Sequence, residues 1–472
     1  MKRMDRRHFL LGLTNWAALS ITAQAPNAQP VQINIDPNRT LGAIPADFTG
    51  LGYEISSVAR PGLLSAANHQ YVQLARTLGT HGIIRIGGNT SDYSSFAPAG
   101  EAVSAPKTTV VNEGNLKELG TFLDATRWRL IWGINLGNGT EQQAWEEAQA
   151  VAAIAKNNLL AFEIGNEPDL FSHEGHRPKS YSYEDYLKEY RRYKSAIRAK
   201  LPHAPFAGPD AAVATDWVTR FAADEGSDLK LLTHHYYREC ASPTSTLDKL
   251  LHLDPKLAPE LEKLQAASNS SHVPYRICET NSFCGGGKPG VSDTFGAALW
   301  VLDFMFRLAW AGAAGVNMET GVNQLDFISW YSPIGDDEHS HYGAKPEYYG
   351  MLAFRESSQG QRVVTSYDTG STNLTAYAVL SPQKKLCLTI INKEQSRNAD
   401  IIVTTKSHVT SASALRLTGP SLESKEGVIL GGSAVTADGQ WKPAHIEPLR
   451  TQGRSCRLHV PAASAALVSL QA

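Results

Sequence analysis

From about residue 47 to residue 360 the chain repeats one pattern: a short apolar run followed by a longer amphipathic one. Eight of the short runs read as strands, at 49–55, 83–86, 130–136, 160–164, 206–208, 231–235, 275–278 and 315–318. The long runs carry helical spacing. Residues 142–156 are Ala-rich with one polar face. Ser182-Tyr183-Glu184-Asp185 is a capping start for a helix reaching about residue 200, and 294–311 is strongly apolar. Eight strands alternating with helices over about 300 residues predict an α/β chain closed into a (β/α)8 barrel. A doubly wound open sheet is the competing pattern. It would place a Gly-rich phosphate fingerprint after the first strand, and none is there.

Beyond Gly360 the period changes. Alternating runs at 361–367, 373–379, 385–392, 399–404 and 457–470, separated by Gly, Ser, Asn and Pro, predict a β-sandwich. Val31-Gln32-Ile33-Asn34-Ile35 alternates in the same way and is expected to pair into that sheet. The predicted organisation is therefore a barrel over 46–358 and a sandwich built from 31–45 plus 359–472. Residues 1–28 read as an export signal. Arg6-Arg7-His8-Phe9-Leu10 opens it, an apolar run follows to Ile21, and Thr22-Ala23-Gln24-Ala25 closes it. The arginine pair resembles a twin-arginine signal. The apolar run is too short to span a bilayer. A mature start between Pro26 and Val31 and a periplasmic or secreted location are expected.

The formal net charge is −2, which gives no electrostatic case for a nucleic acid or a membrane surface as partner. The 15 His residues show no metal spacing such as HExxH, so neither metal nor cofactor is expected. The five Cys residues leave at least one unpaired and form no disulfide framework. Cys278 and Cys284 lack zinc spacing, and Cys387 with Cys456 is one conceivable bridge.

Catalytic groups in such barrels sit where strands end. Read in order, those ends present Glu54, then Arg85 and Asn89, then Asn135, then Asn166 and Glu167. His235, Tyr236 and Tyr237 follow the sixth strand, Glu279 ends the seventh and Glu319 the eighth. Two short apolar runs finish on a carboxylate: Glu163-Ile164-Gly165-Asn166-Glu167-Pro168 and Arg276-Ile277-Cys278-Glu279-Thr280-Asn281. Two acids facing each other across a sugar are what glycoside hydrolysis requires, one protonating the leaving oxygen and one attacking the anomeric carbon. At ~5 Å and an effective dielectric of ~20 their repulsion is ~3 kcal/mol, or ~2 pKa units, so one stays protonated while the other is ionised. Pro168 biases Glu167 away from helical backbone.

The order of motifs adds a resemblance. FTGLGYEIS (48–56), IRIGGNTSDYS (84–94), WGINL (132–136), EIGNEPDLF (163–171), HHYY (234–237) and ICETNSF (277–283) together resemble glycoside hydrolase family 79, which includes β-glucuronidases and heparanase-like endo-glucuronidases. The likeness covers the mature chain and is strongest from Phe48 to Tyr349. It implies that Glu167 is the acid/base, Glu279 the nucleophile and Asn166 a contact to the sugar 2-hydroxyl. It further implies that Glu54 and Tyr237 line the glycone subsite, with Tyr237 near the nucleophile. Tyr331, the loop around Gly286 and Lys288 are the candidates for reading a uronic carboxylate, and Asn135 is a further candidate contact. Among the rest, Arg85 is expected to hold a carboxylate in place and Glu163 to meet a buried partner. Either His234 or His235 faces the barrel interior, as a core group or a substrate contact. Tyr236 is expected to pack and Glu319 to give hydrogen-bond support.

These readings predict a retaining glycosidase that releases β-linked glucuronic acid from a glycan or glycoside at the non-reducing end. The same mechanism on a β-xyloside or α-arabinofuranoside, and a non-catalytic carbohydrate-binding protein, are the rival readings. An aldolase or metal hydrolase would need a Schiff-base Lys or a His/Asp metal set, and neither stands at the strand ends.

Overall fold

The computed structural model describes residues 29–98, 108–321, 329–336 and 341–471. The expected export signal lies outside them. The apolar runs form a closed barrel of eight parallel strands: β1 Thr49–Glu54, β2 Ile83–Gly87, β3 Arg129–Ile134, β4 Leu159–Ile164, β5 Phe206–Ala211, β6 Leu229–Tyr237, β7 Tyr275–Asn281 and β8 Val316–Glu319. Each strand pairs with its sequence neighbour, and β8 closes onto β1 with Val316 opposite Thr49. Strand ends extend past the apolar runs, because ladder pairing continues into polar residues at the rim. In this way Asp210 and Tyr237 become strand residues.

Alternation along the strands sorts the interior into layers. Ile83, Ile131, Ala161, Ala207, Leu231 and Cys278 pack together as an apolar floor. Two residues further along β2 and β4 the same faces carry Arg85 and Glu163, both fully buried. The out-facing positions, such as Leu51, Ile84, Phe162 and Met318, join the core shared with the helices.

The helix Glu141–Ala155 starts at Thr140, whose side chain accepts from the Gln143 N–H in a capping box. It turns a buried acid, Glu147, onto β3, where Trp132 Nε1 donates to its Oε1 at 3.0 Å. Burial raises the Glu147 carboxyl to about 7. Its folded pKa lies above the unfolded one, so stability is lost as pH rises from about 4.5 to about 7. Glu147→Gln keeps the acceptor and removes the titration. Thermal unfolding is expected to show the variant more stable at pH 8, by up to about 3 kcal/mol at 1.4 kcal/mol per pKa unit, with no gain at pH 4. A gain independent of pH would refute this.

Among the described residues, eleven of the remaining strands form one hydrogen-bonded sheet, and two short pairs, Ser94–Phe96 with Thr109–Val111 and Ile334–Asp336 with Tyr342–Ala344, stand apart. Val31–Ala43 lies inside the sheet, antiparallel to Gln361–Tyr367 and parallel to Ala399–Thr405. Its buried alternate residues Val31, Ile33 and Ile35 share a core with Leu388, Ile401 and Val468. The run expected as a single strand over 457–470 is two, Ser455–Val460 and Ser464–Gln471. Pro461 has no N–H for a ladder, and Ala463 turns the chain at φ 48°. Ser411–Thr418 is a strand that the sequence pattern did not mark. The sheet is pinned to the barrel by Asp303, which accepts from Lys393, Thr375 and Tyr377. No helix among the described residues is long and apolar enough to cross a membrane.

Candidate active site

The C-terminal rim of the barrel surrounds a cavity of about 700 Å³. Glu54, Glu167, Tyr237, Glu279, Gly286, Glu319 and Tyr331 line it. Glu279 reaches the cavity through a strand irregularity. Arg276 and Cys278 face the barrel interior, so strict alternation would turn Glu279 outward. The β7 ladder slips between Ile277 and Glu279 on the β6 side and between Ile277 and Thr280 on the β8 side. This bulge re-aims the carboxylate inward.

Glu167 stands just after β4 in left-handed backbone, φ 51° and ψ 48°, following Gly165 at φ 85°. As Pro168 implied, Glu167 is outside the right-handed helical region, and the turn takes it to the left-handed one. Its N–H donates to the Asp210 carbonyl at 3.0 Å, and its own carbonyl accepts from Leu170 N at 2.8 Å, so the turn outweighs the local preference. An uncommon backbone state at a reactive position is typical of active sites.

Arg85 organises the floor of the cavity. Fully buried, it donates to Glu163 Oε2 (3.2 Å), Asp210 Oδ2 (2.5 Å), Asn166 Oδ1 (2.8 Å) and Glu279 Oε2 (2.8 Å). Glu279 Oε1 accepts from the Tyr237 hydroxyl at 3.1 Å. His235 spans the gap to the other acid: Nε2 meets Asp210 Oδ1 and Nδ1 meets Glu167 Oε1, each at 2.9 Å. One oxygen each of Glu167, Glu279 and one ring nitrogen of His235 lie within 4.8 Å of one another.

The charges in this network settle unequally. Burial opposes ionisation of Asp210, yet Arg85 and His235 hold its carboxyl at about 2. Burial also opposes charge on His235, but Asp210 and Glu279 lift it well above the usual imidazole range. Burial raises Glu167, the His235 contact offsets part of this, and Glu279 adds to it. The site thus holds an ionised Asp210, a cationic His235 and an acid at Glu167 that keeps its proton to higher pH than an exposed Glu.

Among the described residues, two groups have donor atoms close enough for a cation: Glu163, Asp210 and Cys278, and Glu167, His235 and Glu279. In the first, both carboxylates already face the Arg85 guanidinium. In the second, the imidazolium occupies the centre. Neither donor set suits a metal.

Other expected contacts sort into two groups. Glu54 lines the cavity, its carboxylate fixed by Asn89 N (3.2 Å), Thr90 N (2.7 Å) and Thr90 Oγ1 (2.6 Å). Gly286 lines it too, within three successive left-handed glycines at φ 74°, 85° and 84°. Asn166 stands one layer behind the wall. Its amide bridges Arg85 and Asn89, and its N–H donates to Asp92. Asn135 is not on the wall. Its Nδ2 donates to the Ser94 carbonyl and its Oδ1 accepts from Asn138 N and Gly139 N, so it shapes the turn after β3. The Lys288 side chain is likewise not part of the wall.

Tyr236 packs on Phe304 and donates to Asp254. Glu319 does not give the expected hydrogen-bond support, because neither of its carboxyl oxygens has a hydrogen-bond partner among the described residues. Asp210 escaped sequence reading because the fifth apolar run stops at Gly208, two residues short. A carboxylate just past an apolar run was the available signal. The structure also joins Cys240 to Cys284 and leaves Cys387 and Cys456 unpaired, in place of a bridge between the latter two. The bridge ties the loops after β6 and β7 together at the cavity wall.

No family model matches the chain. A β-glucuronidase of Neurospora crassa is 27% identical over 414 residues, covering 77% of this chain and 72% of that protein. The chain is a glycoside hydrolase related to the β-glucuronidases. A heparanase of Rattus norvegicus is 23% identical over 265 residues, 53% of this chain and 47% of that protein. The resemblance to glycoside hydrolase family 79 therefore extends over most of the hydrolase. Its fold is shared by a solved 4-O-α-L-rhamnosyl-β-D-glucuronidase of Fusarium oxysporum, with a TM-score of 0.76 and 20% identity over 93% of this chain and 100% of that one.

Proposed function

We propose that this hydrolase releases a β-linked glucuronic acid from the non-reducing end of a glycan or glycoside by double displacement. The observation that carries the mechanism is the approach of the Glu167 and Glu279 carboxyl oxygens to within 4.8 Å. About 5 Å is the spacing of retaining enzymes, too short to seat a water between the second carboxylate and the sugar. Glu279, ionised and fixed by Arg85 and Tyr237, attacks the anomeric carbon. Glu167 gives its proton to the departing oxygen as the glycosidic bond breaks. The nucleophile's charge is consumed in the glycosyl-enzyme, which removes one influence holding the Glu167 pKa up. Glu167 then takes a proton from water, whose oxygen attacks the same carbon and frees Glu279. His235 keeps Glu167 in place during both steps.

The β-glucuronide assignment is supported by the curated relatives. Tyr331 and Gly286 on the cavity wall are suited to a sugar carboxylate: a hydroxyl donor and a loop whose backbone can approach closely. Export fits the Cys240–Cys284 bridge, since such bonds persist in oxidising compartments.

The test is hydrolysis of the p-nitrophenyl β-glucuronide beside the β-glucoside, β-xyloside and α-arabinofuranoside. Preference for the glucuronide by 100-fold or more in kcat/KM is expected, and preference for a neutral sugar would overturn the assignment. The pH profile is a second measurement. Since Glu167 must carry a proton and its pKa is raised, activity should persist above the range of an ordinary Glu and fall as pH rises through the Glu167 value. In Glu167→Ala with added azide as nucleophile, that alkaline limb should vanish.

A further inference from the structure

Glu319, at the end of β8, differs from Glu54, Glu167 and Glu279, which line the same cavity. Glu54 is held by Thr90, Glu167 by His235 and Glu279 by Arg85 and Tyr237, whereas both Glu319 oxygens have no hydrogen-bond partner among the described residues. The residue is only 3% exposed, and it lies on the cavity wall. A buried carboxyl with nothing to bond is costly, and protein sites rarely keep one without use. The neighbouring strand makes room for it. A Cβ on Gly52 of β1 would stand 2.6 Å from Glu319 Oε2, so the glycine clears space without supplying a donor.

We infer that Glu319 is a specificity-determining residue of the sugar subsite, hydrogen-bonded to a hydroxyl of the bound glycone. The inference rests on the glycosidase reading above. Its protonation state follows from its surroundings: burial raises the carboxyl well above the usual range, Glu279 and Glu54 raise it further, and Arg85 and His235 only partly offset this. A neutral carboxyl supplies one O–H donor and a carbonyl acceptor. It engages a sugar hydroxyl from both sides and adds no negative charge beside a uronic acid. An ionised one would repel that substrate.

The test is a cycle between protein and sugar. Glu319→Gln, neutral and of the same shape, should stay within about fivefold of wild type in kcat/KM. Glu319→Leu, of similar size with no hydrogen-bonding group, should lose about 100-fold. Aryl glycosides lacking the 2-, 3- or 4-hydroxyl are then compared on both variants. The deoxy sugar missing the hydroxyl that Glu319 holds should be cleaved about equally by wild type and Glu319→Leu, while the other two retain the 100-fold gap. Equal losses on all three deoxy sugars would mean a structural role and overturn the inference, as would a folded Glu319→Leu with wild-type kcat/KM. If Glu319→Leu does not fold, Glu319→Ala, which also removes the hydrogen-bonding group, carries the cycle, and equal losses on all three deoxy sugars overturn the inference. The cycle runs on whichever aryl glycoside the wild type cleaves best. A neutral-sugar preference would thus sink the glucuronide assignment while leaving Glu319 testable.

Discussion

Glu279→Gln should lower turnover of an aryl β-glucuronide by on the order of 10⁴-fold or more, with thermal stability little changed. Loss of a nucleophile removes the covalent path, and the remaining groups give only residual catalysis. The glutamine carbonyl can still accept from Arg85 Nη1 and its NH2 can donate to the Tyr237 hydroxyl oxygen, so the geometry at 2.8 and 3.1 Å has no reason to collapse. Glu167→Gln should behave differently, and the contrast identifies the roles. With p-nitrophenolate leaving, little proton assistance is needed to form the glycosyl-enzyme. The defect shifts to its hydrolysis, so a burst of nitrophenol precedes a slow steady state, and azide accelerates turnover by taking the place of water. Glu279→Gln should show neither burst nor azide rescue. Near-normal turnover in Glu279→Gln would remove it as nucleophile and with it the proposed mechanism.

Arg85→Met should destabilise the protein by about 3–5 kcal/mol and cut kcat/KM by at least 100-fold. Arg85 joins many parts of the site: Glu163, Asp210, Asn166 and Glu279 all accept from its fully buried guanidinium. Methionine fills most of the volume and leaves those carboxylates without their counter-charge. The pH dependence separates this from simple packing loss. With Arg85 present, Asp210 has a folded pKa of about 2, below the ordinary 3.8. The stability this represents is complete above about pH 4 and is lost as pH falls toward about 2. The gap between wild type and Arg85→Met in chemical denaturation should therefore be widest at neutral pH and narrow below pH 4. A gap constant from pH 7 to pH 3 would show that volume, not charge, sets the effect.

Much of this enzyme was legible in one dimension. The eight apolar runs fall on the eight barrel strands, because a buried parallel strand must be apolar on both faces and its length is set by the barrel wall. The helix start at Ser182 was equally readable, since capping depends on residues three apart. Glu167 and Glu279 stood out because each ends an apolar run. What resisted reading was long-range. Asp210 lies two residues past an apolar run that gives no hint of Arg85, 125 positions away. Asn135 looked like a substrate contact because position on a rim does not reveal what an amide bonds to.

The chain's own order of apolar runs, caps and terminal carboxylates determined a barrel with two acids at its rim, because those features depend on residues close in sequence. Only the tertiary structure decided which way the acids point and how they are charged. Glu279 turns inward through a slip in pairing with both neighbouring strands. Arg85 meets it across 194 residues, and His235 meets Glu167 across 68. Side-chain direction, burial and mutual charge arise from contacts between strands, and those exist only once the barrel has closed.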